Sequence, residues 1–468
     1  MATDHATTHG RDRLPRWARA ADVLASALVL LGLWASLHPI RGEVLGIPIQ
    51  VQRWWRLLIA ASVVAAARHA AVPVPSLLAR VVEACLRARS LWRAIGAVAP
   101  VVVCTRLLVL LVGYFAVVTV GLRSEAPPGM GQRAGPELPL RWDAGWYLGI
   151  ASEGYDWTGS VRDQQTLNFF PAFPMATRFV SWAIRARSVP ASAVQPWVGT
   201  VLSMVAFLIA CVYLYQMVAR EHGADAAGGA VLLLATYPFA LFYSAAYPEA
   251  LFLASAVGAW YHLQRGQAAP AAIWGLVAGL SRPNGGLLTA PLAVLLLRER
   301  RRALPLYVAA LAPISGTLLY SAWAYRLTGH PFVWAELQRS AFLRTYRGIG
   351  DSLGGPLGAI LRDGFIAYVR RSPWELMNLG PALLGIAAIV PVTIRLGLAA
   401  GVFLAITVFV PLLNGGLVSM GRYTAVLFPM FVWLALLVPP QGRALVAACF
   451  ALCQGVLASL FFTWWPVF

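Results

Sequence analysis

The sequence predicts an all-α, polytopic integral membrane protein of about 12–13 transmembrane helices. Three observations predict it. Hydrophobic residues make up 59% of the 468 residues. Charged residues are only 12%, about half the share of a soluble domain. Apolar runs of bilayer-spanning length recur along the chain, with Arg gathered near their ends.

Taken in order, the predicted spans are 21–38, 55–72, 98–121, 196–219, 228–246, 248–264, 270–281, 284–297, 303–325, 379–394, 397–413, 422–438 and 444–463. The first follows a tail bearing Arg11, Arg13, Arg16 and Arg19. Its small-x-small cleavage pattern is weak and a second span follows soon, so it reads as an uncleaved signal anchor. The halves 270–281 and 284–297 are short and flank Arg282-Pro283-Asn284-Gly285-Gly286. They read as two short helices or one broken helix. The chain divides into a tail (1–20), a two-helix extension (21–97) and a main transmembrane domain (98–468).

Connectors of one parity carry Arg80, Arg87, Arg89 and Arg93, then Arg298, Arg300, Arg301 and Arg302, with Arg220, Arg265, Arg395 and Arg443 in agreement. The positive-inside rule makes that side, and the N-terminus, cytoplasmic in the cell membrane. Two long segments, 122–195 and 326–378, then lie on the extracytoplasmic side. In the first of these, 173–187 reads as an interfacial helix. Phe173, Ala176, Phe179, Val180 and Ala183 face lipid, and Arg178, Arg185 and Arg187 reach headgroups.

The formal net charge is +18, all 37 basic residues being Arg. No basic cluster lies on a soluble domain, so the charge reads as topology signal and lipid-phosphate contact rather than nucleic-acid binding. Of five Cys, four (Cys104, Cys211, Cys449, Cys453) fall in apolar runs and Cys85 lies outside them. No metal-type spacing appears, and all read as small buried hydrophobes.

Six short polar stretches share one predicted side. In RWDAGWYLGIASEGYDW (141–157), Asp143 shares a helical face with Tyr147 and Ile150, beside a stripe of Trp146, Gly149 and Glu153. A carboxylate among rings at a membrane surface is either a partly desolvated base or a helix N-terminal charge in an aromatic belt. NFFPAFP (168–174) is a rigid turn that places aromatics behind Asn168. Glu249, in YPEALF, opens a span after Pro248 and suits helix capping as well as chemistry. Arg282 sits at the break between half-spans and needs a partner. That partner is an anion such as a lipid phosphate, or else Glu249 or Asp143. Arg422, in Gly421-Arg422-Tyr423, invites the same two readings. His330, in GHPF, reads as a turn residue rather than a metal ligand.

Together, RWDAGWYLGIASEGYDW, NFFPAFPMATR, YPEALFLA, SRPNGGLL, GHPFVWAELQ and GRYTAVLFP, in that order, resemble the GPI mannosyltransferase II (PIG-V-like) family of GT-C membrane glycosyltransferases. The resemblance runs from about residue 98 to 440. It implies a GT-C-type architecture with large extracytoplasmic loops. It also implies inverting transfer of mannose from a polyprenyl-phosphate donor to a glycolipid, glycan or protein acceptor. The catalytic base implied is Asp143. Arg282 and Arg422 are the phosphate contacts expected on that footing, and Trp142, Tyr147 and Phe170 line the sugar or acceptor path. Asn168, Glu249 and Asn284 are hydrogen-bonding candidates, and Arg141 and Tyr423 complete the substrate contacts. The leaving phosphate needs no strong acid, and Asp143 and Asp156 form no tight acidic pair, so a divalent metal is not favoured and no cofactor is expected. The alternatives are a GT-C enzyme using another polyprenyl-linked sugar, and a lipid or sugar transporter or flippase built on broken helices.

Overall fold

The computed structural model describes residues 15–37, 40–44, 47–51, 54–72, 89–127, 134–184, 191–300 and 303–467. Arg11, Arg13, Arg80, Cys85, Arg87, Arg185, Arg187, Arg301 and Arg302, all invoked above, lie outside the described residues.

The chain divides into two compact units, Met1–Trp92 and Arg93–Phe468. In the first, helices Arg16–Leu37 and Trp55–Ala71 pack together. The strands Ile40–Val44 and Ile47–Val51 pair antiparallel between them in sequence, an element that apolar patterning alone did not predict. Asp22 and Arg68, both nearly unexposed, join the two helices: Nε and Nη2 of the guanidinium reach the two carboxylate oxygens at 2.9 and 3.0 Å. An Arg inside an apolar helix is tolerable when paired in this bidentate way.

The second unit is helical, and every predicted span after residue 97 has a helical counterpart in it. Among the described residues of the whole chain, five helices are long and apolar enough to cross a membrane, or seven if each of two bent pairs is one span. Four shorter apolar helices accompany them. The protein is therefore a multi-pass membrane protein. Breaks are more common than the sequence suggested. The 46-residue element Ala191–Thr236 holds both a predicted span and the start of the next, divided where Gly223 leaves helical geometry at φ 86° and ψ 165°. Unbroken, it would run about 69 Å, more than twice a bilayer core of roughly 30 Å. The predicted span 228–246 ends at Thr236, and Pro238–Ser244 continues as a 3₁₀ helix bent 99° from the next helix, Glu249–Gln264.

These breaks expose backbone groups that must be satisfied inside the protein. Arg106, fully buried, donates to the carbonyls of Ala235 and Ala240. Gln454 Nε2 donates to Ala235 and Tyr237 at 3.2 and 2.8 Å. Side chains from two other helices thus cap the end of one helix and hold the 3₁₀ turn in place.

Helix Ala172–Ile184 matches the predicted interfacial helix but is rotated. Phe179, Trp182 and Ile184 are exposed, whereas Phe173 is fully buried. The correction follows from packing: Phe173 meets the edge of Tyr147 at 5.6 Å and is drawn inward.

Candidate active site

Five of the six polar stretches contribute to one cavity of about 290 Å³, the GHPFVWAELQ stretch through its last residue, Gln338. Its walls come from the loop before helix Ala144–Ser152, the turn 164–169, the break after helix Ala268–Gly279, residues 338–344, and residues 418–423. Backbone bonds lock these pieces together. Ala172 N–H donates to Leu280 C=O at 2.9 Å, tying NFFPAFP to the Arg282 break. Tyr247 hydroxyl accepts from Asp143 N–H at 2.9 Å and donates to Arg141 C=O at 3.2 Å, tying YPEALF to RWD.

Asp143 takes the N-cap position of helix Ala144–Ser152 but makes no side-chain cap bond. Its Oδ2 instead accepts from Arg422 Nη1 at 2.8 Å. Oδ1 has no hydrogen-bond partner among the described residues, and the side chain is 31% exposed into the cavity. That arrangement favours the chemical reading of Asp143 over helix capping. The residue before it, Trp142, has φ 52°, a left-handed backbone that a bulky side chain adopts only under constraint. Leu343 and Ser419, both lining the cavity, share that feature at φ 52° and 65°.

Beneath the cavity lies Glu249, wholly unexposed at the first turn of its helix. Its Oε1 accepts from Arg422 Nε and Nη2, each at 2.7 Å, and faces Arg282 Nη2 at 3.6 Å. Both of the earlier readings of Arg282 hold part of the answer. It pairs with Glu249, yet its buried Nη1 has no partner among the described residues and it lines the cavity. Arg422 is committed to Asp143 and Glu249, with its Cζ 5.0 Å from the Phe242 ring and 4.9 Å from that of Tyr247. Tyr423 sits 5.0 Å below the Arg282 guanidinium.

A third cavity arginine, Arg344, was not singled out in the sequence. Its Nη2 donates to Ser419 Oγ at 3.2 Å. It is one of several Arg in the second predicted outer segment, and no local pattern distinguishes it. Gln164, Phe342 and Ser419 were missed for the same reason.

Of the predicted site residues, Asp143, Tyr147, Asn168, Arg282, Arg422 and Tyr423 line the cavity. Tyr147 meets Phe169 edge-on at 5.1 Å, and burial pushes its phenol above its ordinary range, so it stays protonated. Five others do not line it. Arg141 is unexposed; its Nε donates to Phe462 C=O at 2.6 Å and Nη1 to Glu137 and Leu140 C=O at 2.9 and 2.8 Å. Burial lowers its guanidinium only to about 10, so it remains a cation and clamps the backbone that carries Asp143. Trp142 packs on Trp464 at 5.2 Å. Phe170 is fully buried against Tyr320 and Trp334, at 4.6 and 5.5 Å; its neighbour Phe169 takes the cavity wall instead. Asn284 borders a separate small void with Phe252 and Phe403. Glu249 acts from below through the two arginines. Glu153 and Asp156 also lie off the cavity, Asp156 Oδ1 accepting from Trp157 N–H at 2.8 Å. Exposed His330 pairs with Glu336 at 3.0 Å. Among the described residues no group of three or more His, Cys, Asp or Glu gathers as a metal site would require.

The far end of helix Glu249–Gln264 bears a different chemistry. There Arg220, Arg265 and Glu299, each at or near a helix end or break, border one recess. Sixteen residues separate the two ends, about 24 Å along a helix.

Comparison with known proteins agrees with the motif resemblance over part of the chain. Residues 136–299 match the family model described as Mannosyltransferase (PIG-V). This stretch includes Asp143, Asn168, Glu249 and Arg282, and ends before Arg344 and Arg422. The GPI mannosyltransferase 2 of Drosophila pseudoobscura pseudoobscura is 30% identical over 116 residues, 24% of this chain and 24% of its own length. The chain thus matches about a quarter of that curated relative. Among solved structures, the Archaeoglobus fulgidus oligosaccharyltransferase in complex with zinc and sulfate aligns over 77% of this chain and 53% of its own, at 16% identity and a TM-score of 0.44. A second structure of that enzyme, tethered to an acceptor peptide, aligns over 77% and 55% at 16% identity, with a TM-score of 0.40.

Proposed function

We propose that the protein is a membrane glycosyltransferase that moves mannose from a polyprenyl-phosphate-mannose donor to an extracytoplasmic glycolipid, glycan or protein acceptor, inverting the anomeric centre. The observation that carries this reading is the meeting, in one cavity, of a carboxylate oxygen free to accept a proton with arginines that keep donors for a phosphate, Arg282 Nη1 among them. The matched mannosyltransferase segment supports the sugar. Side is supported by charge. Arg220 and Arg265 crowd the end of the bundle opposite the cavity, which suits a cytoplasmic face there.

In the reaction, an acceptor hydroxyl attacks the anomeric carbon as the bond to the donor phosphate breaks. Asp143 Oδ1 takes the hydroxyl proton. The phosphate leaves as an anion against Arg282 and Arg344. Arg422 is spoken for by two carboxylates, so its role is to aim Asp143 rather than to hold the donor. As Asp143 gains its proton, Arg422 loses part of its compensation at the moment negative charge appears on the phosphate. The three arginines and two carboxylates of the site leave one net positive charge for that phosphate before reaction.

The test is transfer by the purified protein from polyprenyl-phosphate-mannose to a panel of lipid, glycan and peptide acceptors, with product configuration read by NMR. A product of inverted configuration supports the reading; retention, or transfer only from another polyprenyl-linked sugar, overturns it. Arg344→Gln is expected to raise the donor KM roughly tenfold, the cost of a lost charge-assisted hydrogen bond. Chelation with EDTA is expected to leave the rate unchanged, because arginines, rather than acidic clusters, face the leaving group.

A further inference from the structure

A second cavity, of about 410 Å³, adjoins the first. We propose that it is a subsite for carbohydrate, holding the non-reacting sugars of a glycan acceptor. The proposal rests on the glycosyltransferase reading and adds the acceptor's chemical class.

The two cavities share one thin wall. Gly416 and Leu417 line the second, Val418 and Ser419 the first. Gly415, Gly416 and Ser419 have φ of 146°, 65° and 65°, and this turn passes beside Arg344 and Arg347. A Cβ on Gly415 would lie 3.4 Å from Arg344 Nη1, and one on Gly416 the same distance from Arg347 Cδ. The backbone is therefore bare where the cavities meet. Arg347 N–H donates to Leu413 C=O at 2.7 Å and Ser352 Oγ to Leu412 C=O at 3.1 Å, which fixes the second cavity against the approach to that wall.

The lining has the chemistry of a polyol site. Arg347, Asp351 and Arg362 have no side-chain hydrogen bond or ion pair among the described residues, so both donors and acceptors are available to an occupant. Glu375 Oε2 accepts from Tyr368 hydroxyl at 2.8 Å, which leaves Oε1 available. Burial and that bond push the Tyr368 phenol up to about 12, so it stays the donor at neutral pH. Arg371 is held by Asp363 at 2.8 Å. Charge separates the two cavities. Here Asp363, outside the lining, neutralises Arg371, which leaves Arg347 and Arg362 against Asp351 and Glu375, so an anion gains nothing net. The first cavity keeps a positive excess. A phosphate belongs in the first and a neutral, hydroxyl-rich group in the second, where forked guanidinium and carboxylate groups can each bind vicinal hydroxyls.

The test uses full-length protein in detergent with α-mannotriose, maltotriose and chitotriose as probes, read by saturation-transfer NMR. The wild type is expected to give a signal with at least one trisaccharide. The double variant Asp351→Asn/Arg362→Gln is expected to weaken that binding roughly tenfold or more, and Asp143→Asn to retain it. Arg347→Gln should show the same direction of loss, with unchanged thermal unfolding in both cases. No signal from any probe in the wild type, full binding by the double variant, or equal loss in Asp143→Asn overturns the subsite. Binding is read without donor, so this result stands apart from the transfer assay. Sugar binding without mannose transfer would sink the donor reading alone, and transfer with unaltered binding would sink the subsite alone.

Discussion

Asp143→Asn is expected to reduce mannose transfer at least about 100-fold, the low end for removal of a general base, while the protein keeps its melting temperature in detergent. The amide keeps the shape of the carboxylate and can still accept from Arg422 through its oxygen, but it cannot take a proton. The fold should tolerate the change because Asp143 is 31% exposed and Arg422 keeps Glu249 as its main partner. The measurement is initial rate for wild type and variant at matched stability. Equal rates would remove Asp143 as the base. A rate loss matched by a loss of melting temperature would make its role structural.

Glu249→Gln should lose stability as well as rate. Glu249 is wholly buried and is the common partner of Arg422 and Arg282. Removing its charge leaves two guanidinium groups near the floor of the cavity with Asp143 as the only carboxylate paired to either among the described residues. Breaking a buried pair in this manner costs about 3–5 kcal/mol. The expected result is a clear fall in melting temperature together with loss of transfer, because Arg422 no longer holds Asp143 in position. Retained stability would mean that the buried carboxylate is not what balances the two arginines. The pair of variants separates a group that performs chemistry from one that organises it: the first loses rate alone, the second loses both.

The division between these two acidic residues was only half legible in the sequence. Both appeared as lone acids beside aromatics and a helix start, and capping suited each equally well. The structure separates them by burial and by partner. Asp143 occupies a cap position without capping, and Glu249 lies beneath it. Arg141 and Phe170 were drawn to the site by their motifs, yet they face the protein interior. In each case the neighbouring residue, or the same residue's backbone, serves the site instead. Adjacent side chains in a short turn point in different directions, and a motif cannot say which one faces the space. Arg344 shows the converse: it lines the cavity but stands in sequence as one Arg among many.

By itself the sequence determined that the chain is helical and that it passes through a membrane many times. Those properties follow from local composition, since an apolar run leaves water as a helix and Arg without a buried partner gathers near its ends. The mannosyltransferase resemblance was legible too, because it is carried by short ordered motifs. What only the tertiary structure decided is which charges meet. Arg422 lies 279 residues from Asp143 and 173 from Glu249, and such pairings depend on the breaks at Gly223 and Pro248 that fold the spans against one another. Ion pairing inside a low-dielectric protein is strong only at contact distance, so its partners are set by three-dimensional packing and leave no periodic trace along the chain.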